Sequence, residues 1–480
     1  MDQSIIRISK ELGDIQKNCD LSLAVACRDI DVRNVKALIM GPHETPYEFG
    51  FFEFAIRFHK GRAPRTMTKL SLIFDDRISF QIPERNLYHH KRGTLSLQPQ
   101  CIQQWESLSI NSRVLYFVQD LGFELTMART WRGERGEEWS SAQGLESILL
   151  SIQSLLSSNP YENEPGFEDA NDESDKKHQK DYIQKIRHET LRISVIQRLE
   201  GYLGMNPGGT QLHSLPGANE MDDDDDIDEA TVPFEPFRDL CKRRFLWYYE
   251  SYLAAIEKGK SETKPNQPFA RMPFESPGNN SMDGKFNYPE LGSRLQAIKA
   301  AIDAEPERWA EEGLEAKKKE TTVAVNLQHQ FEQVVEVFKR GDMPHDVFLE
   351  NENPFVWVIT YFGRPMTNLD GGLFRIKMNF SVRFPEEQPR VKFETKIFHH
   401  HIAADGTACY TPNPMKREDV RSHIDAIFAI LEDDEPAYDP RKIVNPEATK
   451  MYWGGSPDDK KKYNRRLRRS VQQSMEDFPE

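Results

Sequence analysis

The amino-acid sequence predicts an α+β protein with two similar domains. An amphipathic helix, several short strands and a second group of helices occur in that order near the start of the chain, and the same order returns in the last third. In both places a glycine-bounded loop, Gly41–Gly50 or Gly363–Gly372, joins two strand-like runs. A length of 480 residues also suits two or three domains, because a domain takes roughly 150 residues.

Composition limits the classes of partner. The chain has a formal net charge of −14, whereas proteins that bind nucleic acid or anionic membranes present basic surface. We therefore expect protein partners, with no nucleic acid and no membrane. No apolar run approaches the roughly 18 residues of a membrane-spanning helix and no secretory leader is recognisable, so we expect the protein in the cytoplasm, the nucleus or both.

The cysteines are scattered along the chain. They include no C-x-x-C pair, which favours neither a disulfide framework nor a zinc site and indicates a reducing compartment. We expect neither a metal nor another cofactor. The five positions are Cys19, Cys27, Cys101, Cys241 and Cys409.

Helical spacing of apolar residues predicts the core helices of the first domain. Ile8, Leu12 and Ile15 share one face near the start, and the stretch 145–156 has a similar face. Between these helices, LSLAVACRDIDVRNVKALIMG and FFEFAIRF have the pattern of strands.

Composition changes after the first domain. Residues 204–232 are rich in Gly, Pro and Asp, which predicts an acidic disordered linker. Residues 233–320 predict a helical extension with an aromatic face, which we interpret first as a packing surface and second as a partner surface. The face consists of Phe237, Cys241, Phe245, Tyr248, Tyr249, Tyr252 and Ile256.

The stretch KIFHHHIAADGTACY, residues 396–410, contains the candidate reactive residue, Cys409. The run RVKFETKIF, residues 390–398, alternates like a half-buried strand, and Asp405-Gly406 indicates a turn. A thiol just past such a turn can be partly exposed, and the three neighbouring histidines could lower its pKa from about 8.5 and favour the thiolate. The residues alone leave two alternatives open, a small buried cysteine or a metal site built from the histidines.

Longer motifs resemble a known family. GPHETPYEFG at 41–50 and NPYENEPGF at 159–167 resemble the ubiquitin-conjugating (UBC) fold, and NPYENEPGFE with IRHET is similar to the Z-type ubiquitin-conjugating enzymes. PFRDLCKRRFLWYYESYL and FNYPELGSRLQAIK resemble the Z-type C-terminal extension. The resemblance implies UBC-like domains at 3–203 and 321–476, each with an N-terminal helix, a four-stranded antiparallel meander and C-terminal helices.

The first domain departs from the family at the reactive position. The family has an Asn eight residues before its catalytic Cys, and here Asn86 and Thr94 occupy those two slots. A threonine cannot carry a thioester, so we expect this domain to be catalytically inactive. An insertion at 98–129 includes Cys101, which could replace the nucleophile only if the loop rearranges, and a mis-assigned exon boundary could also produce the insertion.

The second domain keeps the cysteine. IFHHHI and GTACY resemble the family motifs I-[FY]-H-P-N-I and G-x-x-C-L, with His399 in the His slot and His401 in the Asn slot, eight residues before Cys409. The resemblance implies that Cys409 carries the thioester and that His399 orders the loop. His401 would replace the oxyanion donor, with a pKa near 6.5 and therefore pH-dependent activity. Asp439 stands where the family has the acidic gate for the incoming lysine.

Two functions follow from this resemblance, and we favour the first, because a cysteine remains at the required spacing in only one domain. In the first, the chain is a conjugating enzyme that receives ubiquitin, or a similar modifier, from an activating enzyme on Cys409 and passes it to a lysine or to a ligase. In the second, both domains are inactive and the chain is a scaffold that binds ubiquitin, a ubiquitin ligase or another conjugating enzyme. The register of the histidine loop favours loop residues over metal ligands.

Overall fold

A computed structural model provides the coordinates of the chain. It describes residues 3–18, 20–58, 70–73, 88–89, 95–96, 125–126, 144–164, 166–167, 170–206, 234–275, 283–341, 345–433 and 435–476. Most of the predicted acidic linker lies outside these residues. Within them, no helix is both long enough and apolar enough to span a membrane.

Two compact units divide the chain. Unit 1 comprises Met1–Phe237 and Ile256–Arg294, and unit 2 comprises Arg238–Ala255 and Leu295–Glu480. The helical extension predicted at 233–320 is therefore shared between the two units.

Unit 1 contains the predicted N-terminal helix followed by an antiparallel sheet. The strands of the sheet are, in spatial order, Leu23–Arg28, Asp31–Met40, Phe51–Phe58, Leu70–Ile73 and Leu125–Thr126. A separate ladder pairs Tyr88–His89 with Leu95–Ser96. In chain order, its described α-helices are Gln3–Lys17, Leu145–Ser154, Glu173–Glu189 and Arg198–Leu203. A 3-10 turn lies at Pro160–Asn163 and a π-helical stretch at Thr190–Gln197.

The predicted apolar faces form the core of unit 1. Ile8, Leu12 and Ile15 of the first helix are buried against the sheet together with Leu149. Alternate residues of the third strand, represented by Phe54, point to the same side, as the two-residue period of a strand requires. These contacts confirm the helix and strand patterns predicted for the region.

The same loop geometry occurs in both units. The Gly41 amide donates to the Gly50 carbonyl at 2.9 Å, and the Gly363 amide donates to the Gly372 carbonyl at 2.8 Å. A Cβ on Gly41 would lie 1.7 Å from the Tyr47 carbonyl oxygen, and one on Gly363 equally close to its counterpart in the second loop. Glycine is therefore required at the same turn in both domains, which supports their common architecture.

Unit 2 repeats the order of elements seen in unit 1. Its sheet has four antiparallel strands in chain order, Asp346–Leu349, Val356–Phe362, Leu373–Asn379 and Arg390–Phe393. The meander predicted for this domain is confirmed, although its last strand ends at Phe393 and not at Phe398. The helices that lie wholly in the unit are Glu305–Lys318, Thr322–Arg340, Val420–Glu432, Pro446–Tyr452 and Pro457–Glu476.

Two further helices contribute to both units. They are Arg238–Glu262 and Tyr288–Asp303, of which unit 2 contains residues 238–255 and 295–303. We call Arg238–Ala255 the covering segment, because of its position described below.

A buried ionic cluster attaches the covering segment to the rest of unit 2. Asp239 accepts a hydrogen bond from the Arg390 guanidinium at 2.7 Å, and Lys242 forms an ion pair with Glu305. Arg390 also donates to Glu305 at 3.0 Å and lies over the Trp309 ring. Burial opposes ionisation of Asp239, but the guanidinium groups, Arg390 first, lower its pKa to about 2. The charges are thus paired in a region with little solvent.

Candidate active site

The loop that carries Cys409 is fixed by backbone hydrogen bonds at the edge of the unit 2 sheet. The Phe393 amide donates to the Gly406 carbonyl at 2.8 Å, and the Thr407 amide donates to the Asp405 carboxylate at 2.9 Å. Gly406 has φ of +87°, and a Cβ there would lie 2.2 Å from the Phe393 carbonyl oxygen. The turn predicted at Asp405-Gly406 is therefore present, and it requires glycine.

Cys409 lies at the end of this turn, next to the histidine loop. Its amide donates to the His401 carbonyl at 2.9 Å, so the eight-residue spacing seen in the sequence brings the two residues together. The Cys409 side chain is only 1% exposed. The partial exposure expected from the sequence is therefore wrong for the described structure.

The covering segment lies beside Cys409, close enough for Arg244 and Tyr248 to interact electrostatically with the thiol. Trp247 donates from its indole nitrogen to the Ala408 carbonyl at 3.1 Å, and the Tyr248 hydroxyl donates to the Arg441 carbonyl at 3.0 Å. Arg244 is buried and lies 4.2 Å from the centre of the Trp247 ring. The backbone carbonyls of Ala408 and Arg441 are thus both bonded to one helix.

Burial sets the ionisation of the thiol. Desolvation raises the pKa of Cys409 to about 12, with a smaller contribution from Asp439, although the positive charges of Arg244 and Lys442 act in the opposite direction. The expectation that neighbouring imidazoles lower this pKa is wrong, because no charged imidazole faces the sulfur. At neutral pH Cys409 is a protonated thiol, and only a thiolate is an effective nucleophile.

His399 and His400 are buried as neutral rings. Burial, with His401 as a second contribution, lowers the pKa of His399 to about 3, and its Nδ1 accepts the His401 amide at 3.2 Å. His400 packs against the Trp453 ring, and its Nδ1 is 2.8 Å from the Tyr463 hydroxyl. Desolvation lowers the pKa of His400 strongly. Both rings serve packing and loop geometry in this arrangement.

His401 is also neutral near physiological pH. Burial and the charge of Lys442 lower its pKa to about 4, opposed by Asp433 and by a hydrogen bond with the Lys442 backbone. The predicted pKa near 6.5 is therefore wrong, and the pH dependence expected from it does not follow. Nδ1 of His401 is buried without a hydrogen-bond partner among the described residues.

Asp439 belongs to a turn close to the thiol. Its carboxylate accepts the Arg441 amide at 3.0 Å and the Arg441 Nε at 2.9 Å. Burial acts to raise the pKa of Asp439, but the hydrogen bonds from Arg441 act to lower it, and the net shift is downward. The carboxylate is thus ionised and already engaged, and its predicted role as a gate for lysine stays a prediction.

The candidate site of the first domain cannot be described. Asn86, Thr94 and Cys101 lie outside the described residues, as does the insertion at 98–129 apart from the strand Leu125–Thr126. Among the residues that are described, no group of three or more His, Cys, Asp and Glu side chains is arranged to hold a metal ion.

The sequence interpretation missed the residues that cover Cys409. The aromatic face predicted for the extension includes Tyr248 but not Trp247 or Arg244. Its interpretation as a packing surface agrees with the contacts of Tyr248, which is fully buried. A tryptophan beside an aromatic helical stripe was the available signal, although nothing in the sequence indicates which loop it contacts.

Comparison with known proteins agrees with the fold. A model of the family described as "Ubiquitin-conjugating enzyme" matches residues 7–190 and 327–471. "Ubiquitin-conjugating enzyme E2 Z" of Danio rerio is 34% identical over 303 residues, covering 62% of this chain and 69% of the relative. The protein of the same description from Xenopus tropicalis is 29% identical over 305 residues, covering 62% of this chain and 71% of its own.

The human relative of that description is also 29% identical, and the match spans 64% of its length. The family model matches two separate segments, which correspond to the two repeats of helix, sheet and helices. The chain therefore belongs to the ubiquitin-conjugating enzyme family, with two UBC-like regions in tandem, the first of which resembles E2 Z.

Proposed function

We propose that this chain acts in ubiquitin conjugation as a UBC-fold binding protein, and that Cys409 does not carry a thioester. The observation that supports the proposal is the burial of the Cys409 thiol, 1% exposed and with its pKa raised to about 12. The alternative predicted from the sequence, a conjugating enzyme that works through Cys409, requires the opposite properties of this sulfur.

Charging of a conjugating enzyme is a transthioesterification. A thiolate attacks the carbonyl carbon of the modifier thioester, a new carbon–sulfur bond forms, and the sulfur of the activating enzyme leaves and takes up the proton. The attacking sulfur must be ionised and must reach a carbonyl at the C-terminus of a bulky protein. Cys409 meets neither requirement, because it is buried and its pKa is raised to about 12.

The neighbouring loop supports the same proposal. Transfer builds negative charge on the carbonyl oxygen, and a positioned donor can contribute about 10²- to 10³-fold in rate. The charged neighbours of the His401 ring are Lys442, Asp433 and Asp439. The ring also hydrogen-bonds the Lys442 backbone, and it is neutral. None of these contacts is with the Cys409 sulfur.

Partners follow from the family in general terms. Ubiquitin-conjugating enzymes interact with ubiquitin, activating enzymes and ligases, and we propose that this chain binds ubiquitin, a ligase or another conjugating enzyme through its UBC-like surfaces. We also propose that the chain acts in the cytoplasm, the nucleus or both. Among the described residues, Cys27 and Cys409 are not in disulfides, which suits a reducing compartment.

A charging assay tests the proposal. The full chain is incubated with ubiquitin, ATP and a panel of activating enzymes beside an active conjugating enzyme as positive control, and the products are separated on a non-reducing gel. We expect no thiol-sensitive adduct on the chain while the control is charged. We also expect ubiquitin or a conjugating enzyme to bind the wild type and Cys409→Ala equally in calorimetric titrations.

Two outcomes would contradict the proposal. A thiol-sensitive adduct that disappears in Cys409→Ala would show that the covering segment opens and that the enzyme alternative holds. An adduct that persists in Cys409→Ala but disappears in Cys101→Ala would assign catalysis to the first domain.

A further inference from the structure

The last helix of unit 2, Pro457–Glu476, has an unusual charge distribution. Seven of the ten residues from 460 to 469 are Lys or Arg, although the chain as a whole has a net charge of −14. Its buried side is formed by Tyr463, Leu467, Ser470, Val471 and Ser474. The helix therefore packs through one stripe and presents its basic residues elsewhere.

Five basic residues share the outward side of this helix. A rotation of about 100° per residue places them opposite the buried stripe, and all five are exposed. We call this set the basic face. Its members are Lys461, Lys462, Arg465, Arg468 and Arg469.

The basic face is only partly neutralised within the chain. Lys461 pairs with Asp458 at 3.2 Å and Lys462 pairs with Asp459 at 2.8 Å. Arg465, Arg468 and Arg469 form no ion pair with any described residue. The two lysines nearest the acidic first turn are thus paired, and the three arginines that follow are not.

This arrangement does not stabilise the helix by itself. Arg465 is three residues from Arg468 and four from Arg469, and like charges at these spacings repel by a few tenths of a kcal/mol per pair. The three arginines are also not in the last turn, where cations interact favourably with the helix dipole. A function in binding would explain why the residues are concentrated on one face.

We infer that the basic face binds an acidic stretch of a partner polypeptide. Guanidinium groups bind carboxylates in planar, bidentate pairs, and the three unpaired cations here are all arginines. From residue 461 to residue 469 the face extends about 12 Å along the helix, which a run of four or five extended acidic residues can follow. This surface is separate from Cys409, so the inference does not depend on the proposed function.

The net charge favours a short acidic peptide over nucleic acid. Screening confines the attraction to roughly 8 Å at physiological ionic strength, so a short run of carboxylates responds mainly to the five local cations. A long polyanion also lies over the remaining surface of a chain with a charge of −14, where repulsion opposes binding.

Fluorescence anisotropy with labelled probes tests the inference. The probe is the peptide EMDDDDDIDEA, residues 220–230 of this chain, used as a generic acidic stretch beside its Asp-to-Asn analogue and a single-stranded oligonucleotide of equal charge. The full chain should bind the acidic peptide, bind the Asn analogue at least about 10-fold more weakly, and lose affinity as salt rises.

Charge reversal on the face supplies the decisive comparison. Arg465→Glu, Arg468→Glu and Arg469→Glu combined should weaken peptide binding about 10-fold or more. The charge-matched control, Lys318→Glu with Lys339→Glu and Arg340→Glu, changes exposed residues of other helices and should change binding less than about 2-fold.

The corresponding triple substitution to Gln provides a second variant, which is milder for folding and should also weaken binding. Equal peptide binding by the wild type and the Gln variant would overturn the inference. Tighter binding of the oligonucleotide than of the peptide would overturn it in favour of a nucleic-acid surface.

Discussion

The reactivity of Cys409 toward a disulfide reagent gives the most direct measure of its environment. We expect an aromatic disulfide to modify Cys409 in the native chain far more slowly than it modifies a small thiol of ordinary pKa. Trp247→Ala should accelerate the modification, because it removes a large buried side chain that is hydrogen-bonded to the Ala408 carbonyl, next to Cys409 in sequence. Tyr248→Phe, which removes the hydroxyl bonded to the Arg441 carbonyl, should have a smaller effect in the same direction.

The magnitude follows from the pKa. A rise from an ordinary value of 9.0 to about 12 leaves about 10³-fold less thiolate at pH 7.5. The more basic thiolate is a better nucleophile. With a Brønsted coefficient of about 0.4–0.5, its higher intrinsic reactivity offsets roughly 15- to 30-fold of the loss in thiolate concentration. The pKa alone therefore predicts a rate about 30- to 60-fold below that of an ordinary thiol, and steric closure by the covering segment lowers it further.

The assay is peptide mapping by mass spectrometry after timed exposure to the reagent, with the Cys409 peptide followed individually. The rate should rise about tenfold for each pH unit from 7 to above 9, whereas an ordinary thiol levels off near pH 9. Glu250→Ala, an exposed position of the same helix, is the matched control and should leave the rate unchanged. A wild-type rate comparable with that of the small thiol, or a plateau below pH 9, would refute the reasoning.

Three further predictions concern stability. Asp239→Ala leaves the Arg390 charge buried with one partner fewer. In urea unfolding it should lower the free energy of unfolding by about 3–5 kcal/mol. The control is Glu315→Ala, which removes one member of an exposed ion pair and should change the free energy of unfolding by less than about 1 kcal/mol. Burial lowers the pKa of His423 to about 4, below its unfolded value, so protonation favours the unfolded state. His423 alone should contribute roughly 1.5 kcal/mol to the fall in stability between pH 6.5 and 5, and the buried His399, His400 and His401 should add to that fall. Hydrogen exchange of residues 420–432 measures this loss, and His423→Gln should reduce it; equal protection at both pH values would contradict the assignment. Gly363→Ala should lower the free energy of unfolding in urea by at least about 2 kcal/mol, because the new Cβ would clash with backbone atoms. The control is Gly13→Ala, where the new Cβ faces open space. An equally small change for both substitutions would contradict the requirement for glycine at the turn.

The local parts of the fold were predictable because they depend on periodicity and turn chemistry. Ile8, Leu12 and Ile15 are buried on one helical face as their spacing indicates. Gly363 and Gly406 stand at turns where a side chain would meet backbone atoms. Such features follow from residues close together in sequence, so a pattern of a few positions is sufficient to identify them.

The environment of Cys409 was not predictable in the same way. The hydrogen bond from Trp247 to the Ala408 carbonyl joins residues 161 positions apart, and neither local sequence contains a sign of the other. The motif placed the cysteine beside His401 correctly, but exposure and pKa depend on what packs above the motif. The prediction for the histidine pKa values was wrong for the same reason, since burial by distant elements lowers those values.

The ionic cluster beneath the covering segment determines where the second domain can be cut from the chain. A fragment that starts at residue 321 lacks Asp239, Lys242, Glu305 and Trp309, so Arg390 keeps its charge but loses both carboxylates and the ring beneath it. Excision at that boundary would also uncover Cys409 and make it reactive in the fragment when it is not reactive in the whole protein. Expression of the isolated domain should therefore begin upstream of the covering segment.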